Sequence, residues 1–227
     1  MMAVSLVLLL VFMVLAIPVA ISLGVLGIAL EQLFSPLPLI RAIGEVSWSA
    51  SNEFLLVSVP MFILLGEILL RSGFAERMYA ALVNWVSWLP GGLMHSNIAA
   101  CAVFAATSGS SVATAATVGT VALPEARRFG YNERLFLGTL AAGGTLGILI
   151  PPSINMIIYA VLTNASVPKL YLAGIVPGLV LVLIFMATIL LLCLFRPAWG
   201  GRRVSASWAA RFAGLIHLVP PLGIFLL

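Results

Sequence analysis

Two short interruptions of long apolar segments constrain the possible fold of this chain more than any other feature. The first is the small-polar run 107–111, TSGSS, and the second is the run 143–153, GGTLGILIPPS. A bilayer offers no water to backbone groups, so non-helical backbone at that depth survives only inside protein or beside an aqueous cavity. Secondary transporters build their ion and substrate sites from such broken helices. Two breaks in neighbouring apolar segments therefore predict a transport site.

The composition is that of a membrane protein. Of the 227 residues, 63% are hydrophobic and only 8% are charged, far below the roughly 25% charged residues of soluble domains. Residues 1–30 contain no charge, and they exceed the roughly 20 residues that a helix needs to span the hydrocarbon. A signal peptide is the alternative for this end, but it would need a basic start and a shorter apolar run.

Several other classes of protein find no support in the sequence. There is no Asp, there are only two His, and Cys101 and Cys193 both lie in apolar segments, where they are expected to be core or lipid-facing residues. Metal sites of the usual His, Cys and Asp kind are therefore not expected. No basic face suits nucleic acid. Protease and ATPase motifs are absent, and the serines of the first break have no nearby base for nucleophilic catalysis.

The apolar segments predict an all-α polytopic membrane protein. The predicted elements are a first span at 1–30, a proline-containing loop at 35–38, a span at 50–70, an amphipathic stretch at 74–88, a span at 170–195, a basic connector at 196–212, and an apolar helix beginning at 213.

The first break separates two segments that are too short to cross a membrane. Residues 94–106 would make a helix about 20 Å long, residues 112–123 one of similar length, and the hydrocarbon core is about 30 Å thick. Gly109 between them can adopt backbone angles that other residues avoid. We expect a re-entrant hairpin over 94–123. The alternative is one continuous span that packs closely through its small residues.

The second break falls in the segment 135–162, which we expect to be a discontinuous helix. Gly143, Gly144 and Gly147 weaken the helix, and Pro151-Pro152 removes two consecutive N–H donors. Carbonyls of the preceding turn must then find other partners. A buried cation is one such partner, and water or a Ser or Thr hydroxyl is the alternative.

The distribution of basic residues orients these segments. Nine of the eleven Lys and Arg residues lie in 71–93, 124–134 and 196–212, and the other two are Arg41 and Lys169. Basic residues favour the cytoplasmic side, so these three stretches and the N-terminus are expected there. A hairpin at 94–123 returns the chain to its side of entry. If 94–123 were one full span, the later stretches would lie on the opposite side of the membrane. The excess of basic residues on the cytoplasmic side would then be smaller.

Isolated polar residues favour structural roles. Glu67 is the one carboxylate embedded in an apolar segment, where a proton relay is the functional interpretation. Arg71 follows it at i+4 on the same helix face, so an ion pair near the membrane boundary is the expected role. His95 and His217 lie near predicted interfaces and are expected to be solvated or packed rather than ligating.

The breaks suit a hard cation such as sodium. Such ions prefer carbonyl and hydroxyl oxygens, which both breaks supply without an anionic side chain. The helix N-termini expected at Ser111 and Ser153 would add positive potential for a carboxylate substrate.

Four stretches resemble the large membrane subunit of the tripartite ATP-independent periplasmic (TRAP) transporters. They are 59–73, VPMFILLGEILLRSG; 107–132, TSGSSVATAATVGTVALPEARRFGYN; 144–160, GTLGILIPPSINMIIYA; and 172–179, LAGIVPGL. The resemblance extends over nearly the whole chain, and the serine-glycine tip together with the later GTLG and IPPS motifs is specific. The related divalent-anion and sodium symporters share the architecture but lack the long connection around 124–131.

The resemblance implies an elevator-type, sodium-coupled importer of organic acids such as C4-dicarboxylates or sialic acid, in the inner membrane of a bacterium or archaeon. It implies a small membrane subunit and a periplasmic binding protein as partners, besides membrane lipid. Carried over by motif, the sodium site would comprise Ser108, Gly109, Ser110, Thr145, Gly147, Ile150 and Pro151. The substrate would contact Ser110, Ser111 and Ser153, and residues 125–131 would be a cytoplasmic connector.

The resemblance also implies a domain organisation. Residues 1–93 would form scaffold or arm helices, 94–165 half of the transport domain, 170–212 a span with its connector, and 213–227 the start of a second inverted repeat. The family's large subunit is roughly twice as long as this chain, so we expect a fragment that does not transport alone. The competing interpretations are a symporter-like permease, a non-transporting membrane scaffold whose glycines only pack helices, and a channel.

Overall fold

The computed structural model describes residues 2–34, 39–202, 207–219 and 223, without the side chains of residues 39–41 and 217. Within these ranges the protein is all-helical, with no strand. The predicted loop at 35–38, Arg203 of the connector and the His217 side chain lie outside what is described. So do residues 220–222 and 224–227 of the predicted second-repeat start at 213–227. The chain divides into two compact units, Met1–Glu53 and Phe54–Leu227.

The first unit contains three helices: α1 (Met2–Val14), α2 (Val19–Phe34) and α3 (Leu39–Ser51). The expectation of one helix across 1–30 is wrong, because the chain breaks between Val14 and Val19. Pro18 disfavours helical backbone at the residue before it, and Ala16 adopts a left-handed φ of 53°. Hydropathy alone did not register this local break.

The second unit begins with a short 3₁₀ turn at Phe54–Val57. Its α-helices are α4 (Ser58–Arg71), α5 (Phe74–Val86), α6 (Leu93–Ser108), α7 (Ser111–Arg128), α8 (Glu133–Leu149), α9 (Ile154–Thr163), α10 (Val167–Phe195) and α11 (Trp208–Gly214).

Two helical stretches in the described residues are long and apolar enough to cross a membrane, Phe54–Arg71 and Val167–Phe195. A third span is possible if α8 and α9 count as one, since they meet at a break with a bend of 40°. Pro60 lies in the first turn of α4, where its missing N–H costs no intrahelical bond. The apolar, all-helical architecture is the one expected for a membrane protein.

Helices α6 and α7 form a hairpin. They are separated only by Gly109 and Ser110, which excludes one continuous helix across 94–123. The N–H of Leu93, the first residue of α6, donates to the Tyr131 hydroxyl at 3.0 Å. Tyr131 follows shortly after α7 ends, so the start of α6 and the end of α7 lie together.

Helix α8 packs on both arms of this hairpin through its glycines. It runs parallel to α6, since Asn97 Nδ2 donates to Thr139 Oγ1 at 3.0 Å and a Cβ on Gly143 would lie 2.8 Å from Cys101 Sγ. It runs antiparallel to α7, with Gly144 against Ala115. The sequence places the start of the second break at Gly143, with Gly143, Gly144 and Gly147 weakening the helix, but α8 continues to Leu149. Close packing outweighs their low helix propensity.

The polar stretch after Leu123 is more helical than expected. Pro124 lies inside α7, which continues to Arg128, so the loop to α8 is confined to residues 129–132. The first four residues of the expected connector, 125–128, are therefore helical. Asn132 begins α8 as an N-cap, its side chain accepting the Leu135 N–H at 3.0 Å.

Candidate functional site

The hairpin tip consists of two residues with fixed local bonds. Gly109 ends α6 with a left-handed φ of 61°, and its N–H donates to the Ala105 carbonyl. Ser110 is the N-cap of α7, its side chain accepting the Ala113 N–H at 3.4 Å. The Ser108 hydroxyl lies 3.0 Å from Thr114 Oγ1. The hydroxyls of Ser108 and Ser110 therefore have partners inside the tip.

The second break interrupts the helix at Ile150, Pro151, Pro152 and Ser153. The Ile150 N–H makes the last bond of α8, to Leu146 O at 2.8 Å. The next two residues are prolines and carry no N–H. The carbonyls of Gly147 and Ile148 consequently lose the donors that a continuing helix would supply at i+4.

The hairpin tip and the second break meet directly. The Gly109 carbonyl accepts the Ile154 N–H at 3.3 Å, and a Cβ on Gly109 would lie 3.0 Å from the Pro152 carbonyl oxygen. A Cβ on Gly147 would lie 2.7 Å from the Ser110 carbonyl and the Ser111 nitrogen. Backbone from α6, α7, α8 and α9 therefore converges at one place, and only glycine fits at both positions.

Two buried hydroxyls at this junction have no hydrogen-bond partner in the described part of the chain: Ser111 Oγ and Ser153 Oγ. Ser153 is fully buried. A cavity of about 240 Å³ is lined by Ser111 and by Gly109, Ile148 and Asn155, among others. A buried hydroxyl without a partner is costly. The junction therefore offers free oxygen donors to an ion, water or a ligand.

Helix termini add a second property to the same junction. Helix α7 begins at Ser111 and α9 at Ile154, and the first N–H groups of a helix carry partial positive charge. Oxygen donors suited to a hard cation thus lie beside positive potential suited to an anion. No cluster of three or more His, Cys, Asp or Glu residues with metal-binding geometry occurs within the described ranges.

Sequence similarity identifies the protein family of the chain that has this arrangement of helices. Residues 6–227 match the model of the tripartite ATP-independent periplasmic transporter, DctM component. The chain belongs to the DctM family.

Curated members of the DctM family are similar over most of the chain. The C4-dicarboxylate TRAP transporter large permease protein DctM of Pseudomonas aeruginosa is 40% identical over 207 residues, 89% of this chain and 48% of that protein. Its counterpart in Vibrio cholerae is 37% identical over 180 residues, 78% of this chain and 40% of that protein. The ectoine TRAP permease TeaC of Halomonas elongata is 34% identical over 168 residues, 74% and 39% of the two chains. The chain spans about half the length, or less, of these relatives.

The side chains of three residues that the DctM resemblance assigned to the sodium site make other contacts in the described structure. Thr145 is exposed, inside α8 rather than in unwound backbone, and its hydroxyl bonds the Ala142 carbonyl at 2.7 Å. Ile150 and Pro151 pack against α10, where a Cβ on Gly178 or Gly174 would lie 3.0 Å and 3.3 Å from their side chains. Gly147 is also helical, but it touches the tip.

Sequence reasoning missed other contributors to the junction in this DctM protein. The Pro152 carbonyl and the Ile154 N–H act through the main chain, for which sequence carries no signal. Gly66 of α4 faces the tip, with its would-be Cβ 3.7 Å from Ser108 Cβ. Asn155 lines the cavity, and a polar side chain in an apolar helix could have drawn attention to it.

The other polar residues singled out by sequence have structural partners. Arg71 Nε donates to Glu67 Oε1 at 2.6 Å, which confirms the predicted ion pair. His95 is buried, with Nε2 2.9 Å from the Pro90 carbonyl oxygen, in agreement with a packing role. Cys101 and Cys193 are free, buried thiols of the helical core.

Proposed function

We propose that this DctM chain is part of the large permease subunit of a sodium-coupled TRAP transporter that imports organic acids. Relatives at 34–40% identity are named as permeases for C4-dicarboxylate, isethionate, ectoine and sialic acid. Each of these compounds carries an acidic group, and a C4-dicarboxylate is our first candidate. The partners would be a small membrane subunit and a periplasmic substrate-binding protein.

The pair of buried hydroxyls at the junction, Ser111 Oγ and Ser153 Oγ, is the observation that carries this proposal. Sodium would satisfy both hydroxyls together with the carbonyls of Gly147 and Ile148, which lose their helical donors to the two prolines. All these ligands are neutral, so the ion can leave again in each cycle. A substrate carboxylate would lie at the N-termini of α7 and α9.

The proposed topology places the hairpin base in the cytoplasm of the cell, with the chain in the inner membrane. Helices α6 and α7 would enter and leave on that side as a re-entrant hairpin, and α8 and α9 would cross with their break near mid-depth. This arrangement retains the excess of basic residues on the cytoplasmic side. Residues 94–165 would form half of an elevator-type transport domain and belong to the first of two inverted repeats, with the N-terminus cytoplasmic.

Hydroxyl variants give the sharpest test of the sodium site. Ser111→Ala and Ser153→Ala would be introduced at the native locus, and uptake of a radiolabelled C4-dicarboxylate would be measured against sodium concentration. Each should raise the sodium concentration for half-maximal uptake about tenfold, the effect of one lost ligand worth about 1.4 kcal/mol. Thr163→Ala is the matched control, because that hydroxyl is exposed and bonds the Tyr159 carbonyl.

Three results would contradict the proposal. If uptake does not depend on sodium, sodium is not the coupling ion. An equal rise in the half-maximal sodium concentration for Thr163→Ala would show that the effect is not specific to Ser111 and Ser153. Uptake that persists without the soluble binding protein would favour the symporter-like permease instead.

The scaffold interpretation has one observation in its favour, because the glycines of α8 do pack against the hairpin. Alanine at Gly147 would therefore impair folding in a scaffold as well as in a transporter. The serine variants separate the two functions, since removing a hydroxyl that has no partner among the described residues leaves the packing intact. A scaffold predicts no sodium-dependent change in either of them.

A further inference from the structure

A groove of about 560 Å³ lies at the other end of the hairpin, between α5 and the C-terminal part of α7. Val121 in its wall is ten residues from Ser111, about 15 Å along the helix, so the groove is separate from the junction at the tip. Its floor includes Leu93 and the buried ring of Tyr79, whose hydroxyl donates to Asn97 Oδ1 at 2.8 Å. The Tyr79 hydroxyl in the floor therefore already has a hydrogen-bond partner, so a ligand would interact with the side chains of the walls.

The walls carry charges of both signs. Glu76 on α5 is exposed and forms no ion pair within the described ranges. Opposite it on α7 are Glu125 and Arg128, whose carboxylate and guanidinium are a long 3.7 Å apart, with 38% and 73% of their side chains exposed. Two carboxylates face one guanidinium, so the groove favours a ligand that bears a cation and, beside it, a single anionic group.

The same groove also has apolar surface beside these charged side chains. Ala80 and Val83 of α5 and Val121 and Pro124 of α7 line the same groove. A soluble zwitterion would leave this surface unused, whereas an amphiphile would cover it. The groove also lies beside the Arg-rich end of α7, where a membrane protein meets headgroups.

We propose that this groove binds a membrane phospholipid with a primary ammonium headgroup, of the phosphatidylethanolamine type. Its ammonium lies between Glu76 and Glu125, its phosphate against Arg128, and an acyl chain along Val83 and Val121. A primary ammonium donates three hydrogen bonds to carboxylates, which the quaternary ammonium of phosphatidylcholine cannot do. Phosphatidylglycerol has no cation and meets two carboxylates.

Native mass spectrometry of the chain in detergent tests the proposal without any transport assay, so its failure is separate from that of the proposed function. The chain is titrated with equal amounts of phosphatidylethanolamine, phosphatidylcholine and phosphatidylglycerol of identical acyl chains. We expect retention in that order. Glu76→Gln should lower binding of phosphatidylethanolamine about tenfold, the effect of one charge-assisted hydrogen bond.

Matched controls lie one residue away. Arg128→Gln should weaken binding, whereas Arg127→Gln should not, since Arg127 lies outside the groove and pairs with Glu133 at 3.7 Å. Ala80→Phe fills the groove without removing a charge and should displace the lipid, with helix content checked by circular dichroism.

Several outcomes would overturn the assignment. Stronger retention of phosphatidylglycerol, or equal losses in the Arg127 and Arg128 variants, would exclude the charge pattern. Lipid that persists in Ala80→Phe would lie elsewhere on the protein. Competition by soluble glycerophosphoethanolamine at the same concentration as the lipid would show that the ligand is the headgroup alone.

Discussion

The α6–α7 hairpin has its tip at Gly109 and Ser110 and its base where Leu93 meets Tyr131. The two ends differ in how their polar groups are bonded. At the tip, backbone meets backbone through Gly109 and Gly147, and two buried hydroxyls have no partner in the described structure. At the base, Tyr131 has both of its hydroxyl interactions satisfied, accepting from Leu93 N–H at 3.0 Å and donating to the Arg202 carbonyl at 3.4 Å.

The base also joins segments that are far apart in sequence. The Arg202 N–H donates to the Phe129 carbonyl at 3.0 Å, and a Cβ on Gly201 would lie 2.5 Å from the Tyr131 ring. The stretch after α10 is therefore attached to the hairpin base. The base therefore holds satisfied polar contacts, whereas two buried hydroxyls at the tip have no partner in the described part of the chain, which is where we propose that a ligand binds.

Gly147→Ala is the change with the largest expected effect. The new methyl group would lie 2.7 Å from main-chain atoms of Ser110 and Ser111, which cannot move as a flexible side chain would. We expect a loss of about 3 kcal/mol in the free energy of unfolding, measured by denaturant titration in detergent. Gly138→Ala on the same helix is the control, because its methyl group would meet nothing within 4 Å, and helix propensity should make it neutral or slightly stabilising. Equal effects would mean that the tip is not closely packed on α8.

Tyr131→Phe tests the base. The variant keeps the ring contacts with Gly201 and Phe136 but leaves the buried Leu93 N–H without its acceptor. An unsatisfied buried donor costs roughly 1–3 kcal/mol, so we expect a loss of about 2 kcal/mol in the same unfolding experiment. Tyr159→Phe, at a side chain that is 57% exposed, should change little. A neutral Tyr131→Phe would show that the base is not held by this hydroxyl.

The sequence predicted both breaks, and the family resemblance assigned them to one site, but neither predicted the backbone contacts through which they meet. Gly109 and Pro151-Pro152 act through local backbone chemistry, which one sequence reveals, and the Glu67–Arg71 pair follows from helix geometry. The packing role of Gly147 depends on Ser110, which lies 37 positions away, so no local pattern predicts it. The Tyr131 contacts join three stretches that no local pattern connects. In the first unit, the break before Pro18 was overlooked because an uninterrupted apolar run suggested one helix.

The serine hydroxyls at the tip allow the free and the satisfied groups to be compared directly. Ser108→Ala removes a hydroxyl that lies 3.0 Å from Thr114 Oγ1 and should cost about 1 kcal/mol. Ser153→Ala removes a buried hydroxyl with no described partner, so in sodium-free buffer it should be neutral or stabilising. Sodium should then raise the melting temperature of the unmodified chain more than that of Ser153→Ala. If both serine variants lose the same stability without sodium, the Ser153 hydroxyl has a protein partner and is not available to an ion.

Glu67→Gln has the smallest expected effect and tests whether a third region shares the chemistry of the tip. Glu67 follows Gly66, which faces Ser108, yet its own side chain is 48% exposed and pairs with an Arg71 that is 81% exposed. An exposed i,i+4 pair contributes about 0.3–0.5 kcal/mol and weakens as salt screens it. We therefore expect a loss of that size at low ionic strength, little loss at 1 M salt, and unchanged sodium-dependent uptake. Arg71→Gln should reproduce the same small loss, because an ion pair depends equally on both partners. If Glu67→Gln abolished uptake while Arg71→Gln did not, the carboxylate would act on its own as a proton relay, and the functional site would extend from the tip onto α4.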